Sequence, residues 1–249
     1  MNWIRLIGFC LCCSLVACSA LPEDLTINPQ VEVIETANYI QLMPKNENQG
    51  TTGIVFYPGG LVDAHAYIQP LQDLVMEGYP VLIIKVTGNL AIFDAGKAAR
   101  FRKQLPVERW IIGGHSLGGV IASYDVRDEP SAYAGLFIWA SFSGEEADLS
   151  NWEGAVLSLS GEKDGLTLAT DIQANKVYLP TPVVVEDIAT FPTESTLGST
   201  IYHEIQGANH AQFGSYGAQN GDGEASISEQ QQQYQIIAFM RAFLQANQW

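Results

Sequence analysis

The stretch Trp110–Gly119 reads WIIGGHSLGG. An apolar, partly β-branched run leads into Gly114-His115-Ser116-Leu117-Gly118, and a helical pattern, Leu117 to Val126, follows. A serine with a glycine two residues to either side, set between a strand and a helix, has the arrangement of a nucleophile elbow. There a strained turn lifts the hydroxyl clear of the sheet, and the glycines let strand and helix approach. A bare G-x-S-x-G arises by chance in many proteins and can mark nothing more than a tightly packed turn. The strand before it and the helix after it give it weight here.

Working outward from that turn, the chain alternates strand-like and helix-like runs. Strand candidates are Val31 to Glu35, Tyr39 to Met43, Gly53 to Tyr57, Val81 to Val86, Arg109 to Ile112, Leu136 to Trp139, Ala155 to Leu159 and Thr200 to Gln206. Several are apolar on both faces, as strands covered by helices must be. Helix candidates are Ala64 to Met76, Asn89 to Gln104, Leu117 to Val126, Leu166 to Lys176 and Ser228 to Gln245. The last carries Ile236, Ile237, Met240, Phe243 and Leu244 on one stripe. This alternation predicts an α/β fold: one domain, residues 31–249, with a mainly parallel sheet of about eight strands and helices on both faces. The chain has 249 residues, enough for one such domain.

Twelve Lys and Arg stand against 27 Asp and Glu, a formal charge of −15, and no basic run offers a path for a phosphate backbone. A nucleic-acid partner is not expected. The first residues read as a targeting segment: Arg5 is followed by the apolar run Leu6 to Val16, too short to span a bilayer stably, and then by small residues. LVACS, Leu15 to Ser19, resembles the bacterial lipobox, in which cleavage precedes the cysteine. The expectation is a lipoprotein signal peptide over 1–17, a lipid on Cys18 and a tether through residue 30. Export to a bacterial cell envelope follows, with the outer membrane favoured in a Gram-negative cell because Ser19 rather than an aspartate succeeds the modified cysteine. The other cysteines, Cys10, Cys12 and Cys13, lie in the removed segment, so neither a disulfide framework nor a thiolate site is expected.

Serine alone is a poor nucleophile and needs a base and an orienting acid, which in this kind of fold follow in the order Ser, acid, His. AVLSLSGEKDG, Ala155 to Gly165, is an apolar strand and a turn that ends in Asp164, the favoured acid. Glu162 and Asp171 are the alternatives, and an ordinary turn aspartate before glycine is the plain reading. Of four histidines, His65 opens a helix, His115 precedes the serine and His203 lies within a strand. Only His210, in the loop GANHAQFG, has the order and setting of a base. YPGGLVD, Tyr57 to Asp63, follows a strand and by itself is a plain Pro-Gly turn. Its resemblance to the corresponding turn of alpha/beta hydrolases implies an oxyanion hole formed by the N–H of Gly60 or Leu61 with that of Leu117. Losing one such donor typically costs about 10²–10³ in rate.

Taken together, VFYPGGLVDAHAY, IIGGHSLGG, LSGEKDG and GANHAQFGSYGAQNGDG resemble the alpha/beta hydrolase superfamily, in particular a bacterial group without a large cap domain. The likeness spans about residues 50 to 245. It implies a serine hydrolase acting on carboxylic ester-type bonds of a small acyl substrate, through an acyl-enzyme on Ser116. An acyltransferase or peptidase with the same three residues, or a non-catalytic envelope-binding protein on the same fold, are the alternatives. Nothing resembles a zinc-ligand set or a phosphate-binding glycine loop with Lys and Ser, and no metal or cofactor is expected. The glycine-rich tail Ser215 to Gly223 is open to two readings, a wall of the site or a flexible surface loop. The sequence does not settle the oligomeric state.

Overall fold

The computed structural model describes residues 25–45 and 49–249. The expected signal segment, Cys18 and the start of the tether lie outside the described residues. One nine-stranded sheet runs through the domain in the order β1-β2-β4-β3-β5-β6-β7-β9-β8. β1 (Val31–Glu35) and β2 (Tyr39–Pro44) form an antiparallel edge. β3 (Thr52–Tyr57), β4 (Val81–Ile84), β5 (Arg109–His115), β6 (Gly135–Trp139), β7 (Ala155–Gly161), β8 (Thr181–Val184) and β9 (Ser199–Ile205) are parallel to one another.

Strand periodicity divides the core into two layers. Ile54, Phe56, Ile111, Phe137 and Leu157 face one side, where α1 (Ile68–Met76) and α5 (Glu229–Ala246) cover them. Val55, Tyr57, Ile112, Leu136 and Val156 face the other, beneath α2 (Lys97–Phe101), α3 (Leu117–Asp128) and α4 (Ala169–Asn175). α1 leaves β3 toward one face and α3 leaves β5 toward the other. The connections that leave the paired strands β3 and β5 therefore part at the carboxyl ends, the place where open α/β sheets bind their ligands.

One strand beyond the expected eight is present, and one helix needs correction. The sheet has nine strands, because TPVV in β8 also pairs. It is an edge strand, largely exposed and interrupted by Pro182, so it lacks the apolar signature of its neighbours. The helix expected over Asn89 to Gln104 is mostly absent: only Lys97–Phe101 is α-helical, between short 3₁₀ turns. Gly88, Asn89 and Gly96 hold φ of 60°, 56° and 80°, left-handed values that end any right-handed helix. Ile92 and Phe93, the bulky apolar residues of this stretch, are 60% and 69% exposed.

Candidate active site

Ser116 stands between β5 and α3 with φ 52° and ψ −124°, a backbone conformation that a non-glycine residue holds only when its surroundings enforce it. They do so from three sides. The Ser116 N–H donates to the Trp139 carbonyl at 2.9 Å, and the Ser141 hydroxyl donates to the Ser116 carbonyl at 2.7 Å. On the third side α3 presses against the end of β3 so closely that a Cβ on Gly118 would lie 2.1 Å from the Tyr57 carbonyl oxygen. Only glycine fits there, which accounts for half of the sequence signature. Ser116 itself is partly exposed while its neighbours Gly114 and His115 are buried.

Asp164 and His210 come together as expected. Beyond β7, Asp164 Oδ1 accepts the N–H groups of Leu166 (2.8 Å) and Thr167 (2.7 Å). Its Oδ2 lies 2.8 Å from His210 Nδ1, and the two side chains are 0% and 1% exposed. The Thr167 hydroxyl donates to the Ala140 carbonyl at the end of β6, fastening the acid's loop to the next strand. The histidine's loop is held by Gln232 of α5, whose side chain accepts from the Asn209 N–H (3.1 Å) and donates to the Asn209 carbonyl (2.8 Å). With Nδ1 committed to the carboxylate, Nε2 is the nitrogen free to take a proton. Among the described residues no hydrogen bond joins the Ser116 hydroxyl to that ring.

The alternative acids are engaged elsewhere. Glu162 pairs with Lys163 (2.8 Å) and accepts the Gly207 N–H, and Asp171 accepts the Leu168 N–H at the start of α4. The other histidines are likewise occupied. His203 Nδ1 meets the Val185 carbonyl at 2.7 Å and its ring stacks on Phe239, and His65 sits between Asp63 and Glu35. His115 is fully buried, its ring centroid 4.5 Å from that of His210. The Tyr67 hydroxyl accepts the Gly59 N–H (3.0 Å) and shares a hydrogen bond with His115 Nδ1 (2.8 Å). Burial first, and the neighbouring His210 second, push the His115 pKa well below the ordinary histidine value, so it stays neutral.

Of the expected oxyanion donors, Gly60 and Leu117 meet: a Cβ on Gly60 would touch the Leu117 side chain at 3.4 Å. The Leu117 N–H opens α3, where helix geometry provides no intrahelical partner. Leu61 differs. Its N–H donates to the Asn89 carbonyl at 2.6 Å, and its left-handed φ of 62° turns a 64% exposed side chain outward.

Sequence reasoning missed Tyr67, which links the turn after β3 to His115, and it missed Asp222. The Ser215 to Gly223 tail is no loose loop, because the Asp222 carboxylate accepts four backbone N–H groups, including those of His210 and Ala211. The four-residue run NGDG, Asn220 to Gly223, was the available signal, an aspartate between glycines in a turn. Among the described residues no group of three or more His, Cys, Asp or Glu is placed to hold a metal ion, and no helix is long and apolar enough to cross a membrane.

The sequence model of the alpha/beta hydrolase family matches residues 53–234, which contain all these elements. The chain belongs to the alpha/beta hydrolase family. None of the curated proteins matches it. Among solved structures it is similar to a CIB-like hydrolase from Thermoplasma acidophilum, with 14% identity, TM-score 0.57, and 85% of this chain and 97% of that one covered. It is also similar to Est1E from Butyrivibrio proteoclasticus, with 13% identity, TM-score 0.56, and coverage of 86% and 99%. An esterase from Mycobacterium tuberculosis shares 11% identity, TM-score 0.56, and coverage of 87% and 92%. Likeness at such identities speaks for the fold. In this alpha/beta hydrolase only Ala140 to Gly154, with one 3₁₀ turn, separates β6 from β7.

Proposed function

We propose that the chain is a serine hydrolase of carboxylic esters, with Ser116 as nucleophile, His210 as base and Asp164 as the acid that orients the imidazole. The observation that carries this reading is the buried 2.8 Å Asp164–His210 contact at the same end of the sheet as the strained Ser116 turn. In the proposed cycle, the Ser116 hydroxyl turns onto His210 Nε2 as substrate enters, gives up its proton there and attacks the carbonyl carbon. The oxyanion rests on the N–H groups of Gly60 and Leu117, the Leu61 N–H being spent on Asn89. His210 returns the proton to the leaving alkoxide. Water, activated by the same nitrogen, then releases the acid from the acyl-enzyme. An apolar acyl group suits the surroundings: Leu61, Ile92, Phe93, Leu166 and Leu168 are exposed on loops that leave the carboxyl ends of β3, β4 and β7.

The test is a fluorophosphonate probe combined with turnover of p-nitrophenyl esters of graded chain length. Labelling at Ser116 that vanishes in His210→Ala supports the reading. In Ser116→Ala, kcat should fall by roughly 10⁶ with the fold intact. A folded wild-type chain that neither reacts with the probe nor cleaves an ester would favour a binding role instead.

We also propose that Cys18 carries a lipid that holds the domain at a bacterial envelope membrane, a reading supported by LVACS at residues 15–19. Metabolic labelling with an alkynyl fatty acid tests it. Label should enter the wild type and not Cys18→Ala, and equal labelling of both would sink the anchor.

A further inference from the structure

The tail that follows His210 crosses back over the loop that carries Asp164. Its closeness there is set by backbone: a Cβ on Gly165 would lie 2.5 Å from the Gly221 carbonyl oxygen, and one on Gly223 would lie 1.9 Å from the Lys163 carbonyl oxygen. At the crossing sits Asp222. Its Oδ1 accepts the N–H groups of Gly165 (3.1 Å), His210 (3.1 Å) and Gly223 (2.8 Å), and its Oδ2 accepts that of Ala211 (2.8 Å). An aspartate that merely closed an Asp-Gly turn would need only the Gly223 bond. The other three donors lie 57, 12 and 11 residues away in sequence and belong to two different loops.

The two loops have other ties, but these hold their bases. The Glu162 N–H donates to the Ile205 carbonyl and the Lys163 N–H to the Ala208 carbonyl, continuing the β7–β9 pairing. Beyond Lys163 and Ala208 the chains part. Among the described residues no backbone bond joins the acid's stretch to the imidazole's beyond that point, and the Asp222 carboxylate accepts N–H groups from both loops. Hydrogen bonds to an ionised carboxylate are roughly twice as strong as neutral ones, and four of them resist small displacements in every direction.

We propose that Asp222 is a positioning residue: its carboxylate clasps the Asp164 loop to the His210 loop and thereby fixes the Asp164–His210 bond. It touches neither substrate nor reacting atoms and acts through His210. The inference rests on the triad reading above for its consequence in turnover, but the geometry it asserts can be read without turnover.

The experiment compares wild type with Asp222→Asn and Gly165→Ala, each first shown to be folded by circular dichroism. In Asp222→Asn an amide NH₂ replaces one acceptor oxygen and faces a backbone N–H in either orientation, so at least one clasp bond is lost. Gly165→Ala keeps the Asp222 carboxylate chemically intact but wedges the tail that bears it off the acid's loop, so it carries the comparison if the first variant does not fold. Two quantities are read. One is the downfield proton resonance of the His210 Nδ1–H, assigned by its loss in His210→Ala. The other is the division between kcat and KM on a p-nitrophenyl ester. The clasp predicts a resonance broadened or lost in either folded variant, with kcat lowered about 10- to 100-fold and KM within about threefold, as for a reacting group displaced by a fraction of an ångström to one ångström. A sharp, unshifted resonance with kcat within about twofold of wild type, whatever the fall in melting temperature, overturns the proposal and leaves Asp222 a fold-stabilising strap. If Ser116 is not a nucleophile, wild type itself shows no turnover while the resonance still reports on the clasp. The two failures are therefore distinguishable.

Discussion

Asp164 and Asp125 are both carboxylates taken out of water, and they have opposite surroundings. Asp164 receives two backbone N–H groups on one oxygen and an imidazole on the other, a partner that can itself become a cation. Asp125, in the middle of α3, receives one backbone N–H, from Gly96 at 2.7 Å, and the neutral Tyr57 hydroxyl at 2.8 Å. Burial is the main reason the Asp125 pKa is pushed up to about 6. The Gly96 and Tyr57 bonds pull against it, and the negative neighbours Asp128 and Glu129 add to it. In the proposed cycle the first faces a ring that takes up a proton from Ser116. The other is a latch that holds its proton to higher pH than an ordinary carboxylate, fastening the Gly88–Gly96 segment and the Tyr57 end of β3 to α3. Donor supply, not burial alone, separates a carboxylate with a chemical task from one with a packing task.

The sharpest break in that comparison is Asp164→Asn. If Oδ1 keeps the Leu166 and Thr167 bonds, the amide nitrogen faces His210 Nδ1 and drives the ring to the tautomer with its proton on Nε2, which cannot accept one from Ser116. The expected loss in kcat is about 10⁴, with the melting temperature little changed, measured on a p-nitrophenyl ester. Loss of less than tenfold would mean that this carboxylate does not orient the base.

For Asp125 the same substitution should act on stability and not on rate. A folded-state pKa raised to about 6, above the unfolded value near 3.9, means the native state binds the extra proton. This group's contribution is therefore fully present below about pH 4 and is lost as pH rises to about 6, by roughly 3 kcal/mol for a shift of about two units. Asp125→Asn should abolish that falling slope while kcat stays within about twofold. Urea unfolding of wild type and variant at pH 4.5 and 7 gives the difference, and identical slopes would show that Asp125 does not titrate in this range.

What the sequence revealed follows the same division between local and convergent features. β3, β5, β6 and β7 were legible because strands covered on both faces must be apolar throughout, and the elbow was legible because Gly114 answers to a contact its own turn creates, a Cβ there lying 2.4 Å from the Gly118 carbonyl carbon. Asp164 and His210 were found by chain order and strand-end position, which the parallel topology enforces. β8 was not legible, since an exposed edge strand has no apolar pattern to read. The stretch from Asn89 to Gln104 misled because its apolar residues, Ile92 and Phe93 among them, sit on an exposed rim around left-handed turns. For Asp222 the run NGDG signalled a turn and nothing more, because the other N–H groups its carboxylate accepts belong to two other loops.

The smallest expected effect sharpens the comparison from the solvent side. His65 and Asp63 make the same kind of contact as His210 and Asp164, with Nδ1 2.6 Å from Asp63 Oδ1 and Glu35 at 3.1 Å from Nε2. The side chains are 26%, 31% and 44% exposed, against 1% and 0% for the buried pair. Partial burial works against charge on His65, but the bonds to Asp63 and Glu35 outweigh it and the pKa lies above the ordinary histidine value. A raised value means the contribution is complete below about pH 6.5 and disappears as pH rises through the folded-state pKa. Water and salt screen such a pair, so His65→Ala should cost only about 0.2–1 kcal/mol at pH 5.5, less at pH 9, and nothing in kcat. Denaturant midpoints at the two pH values decide it: an equal loss at both would mean that the ring acts by packing and that its charge is idle. A pH-dependent loss would instead show that an imidazole–carboxylate contact of ordinary length does little in contact with solvent. The consequence of the 164–210 pair would then lie in its exclusion of water and in the loops that hold it.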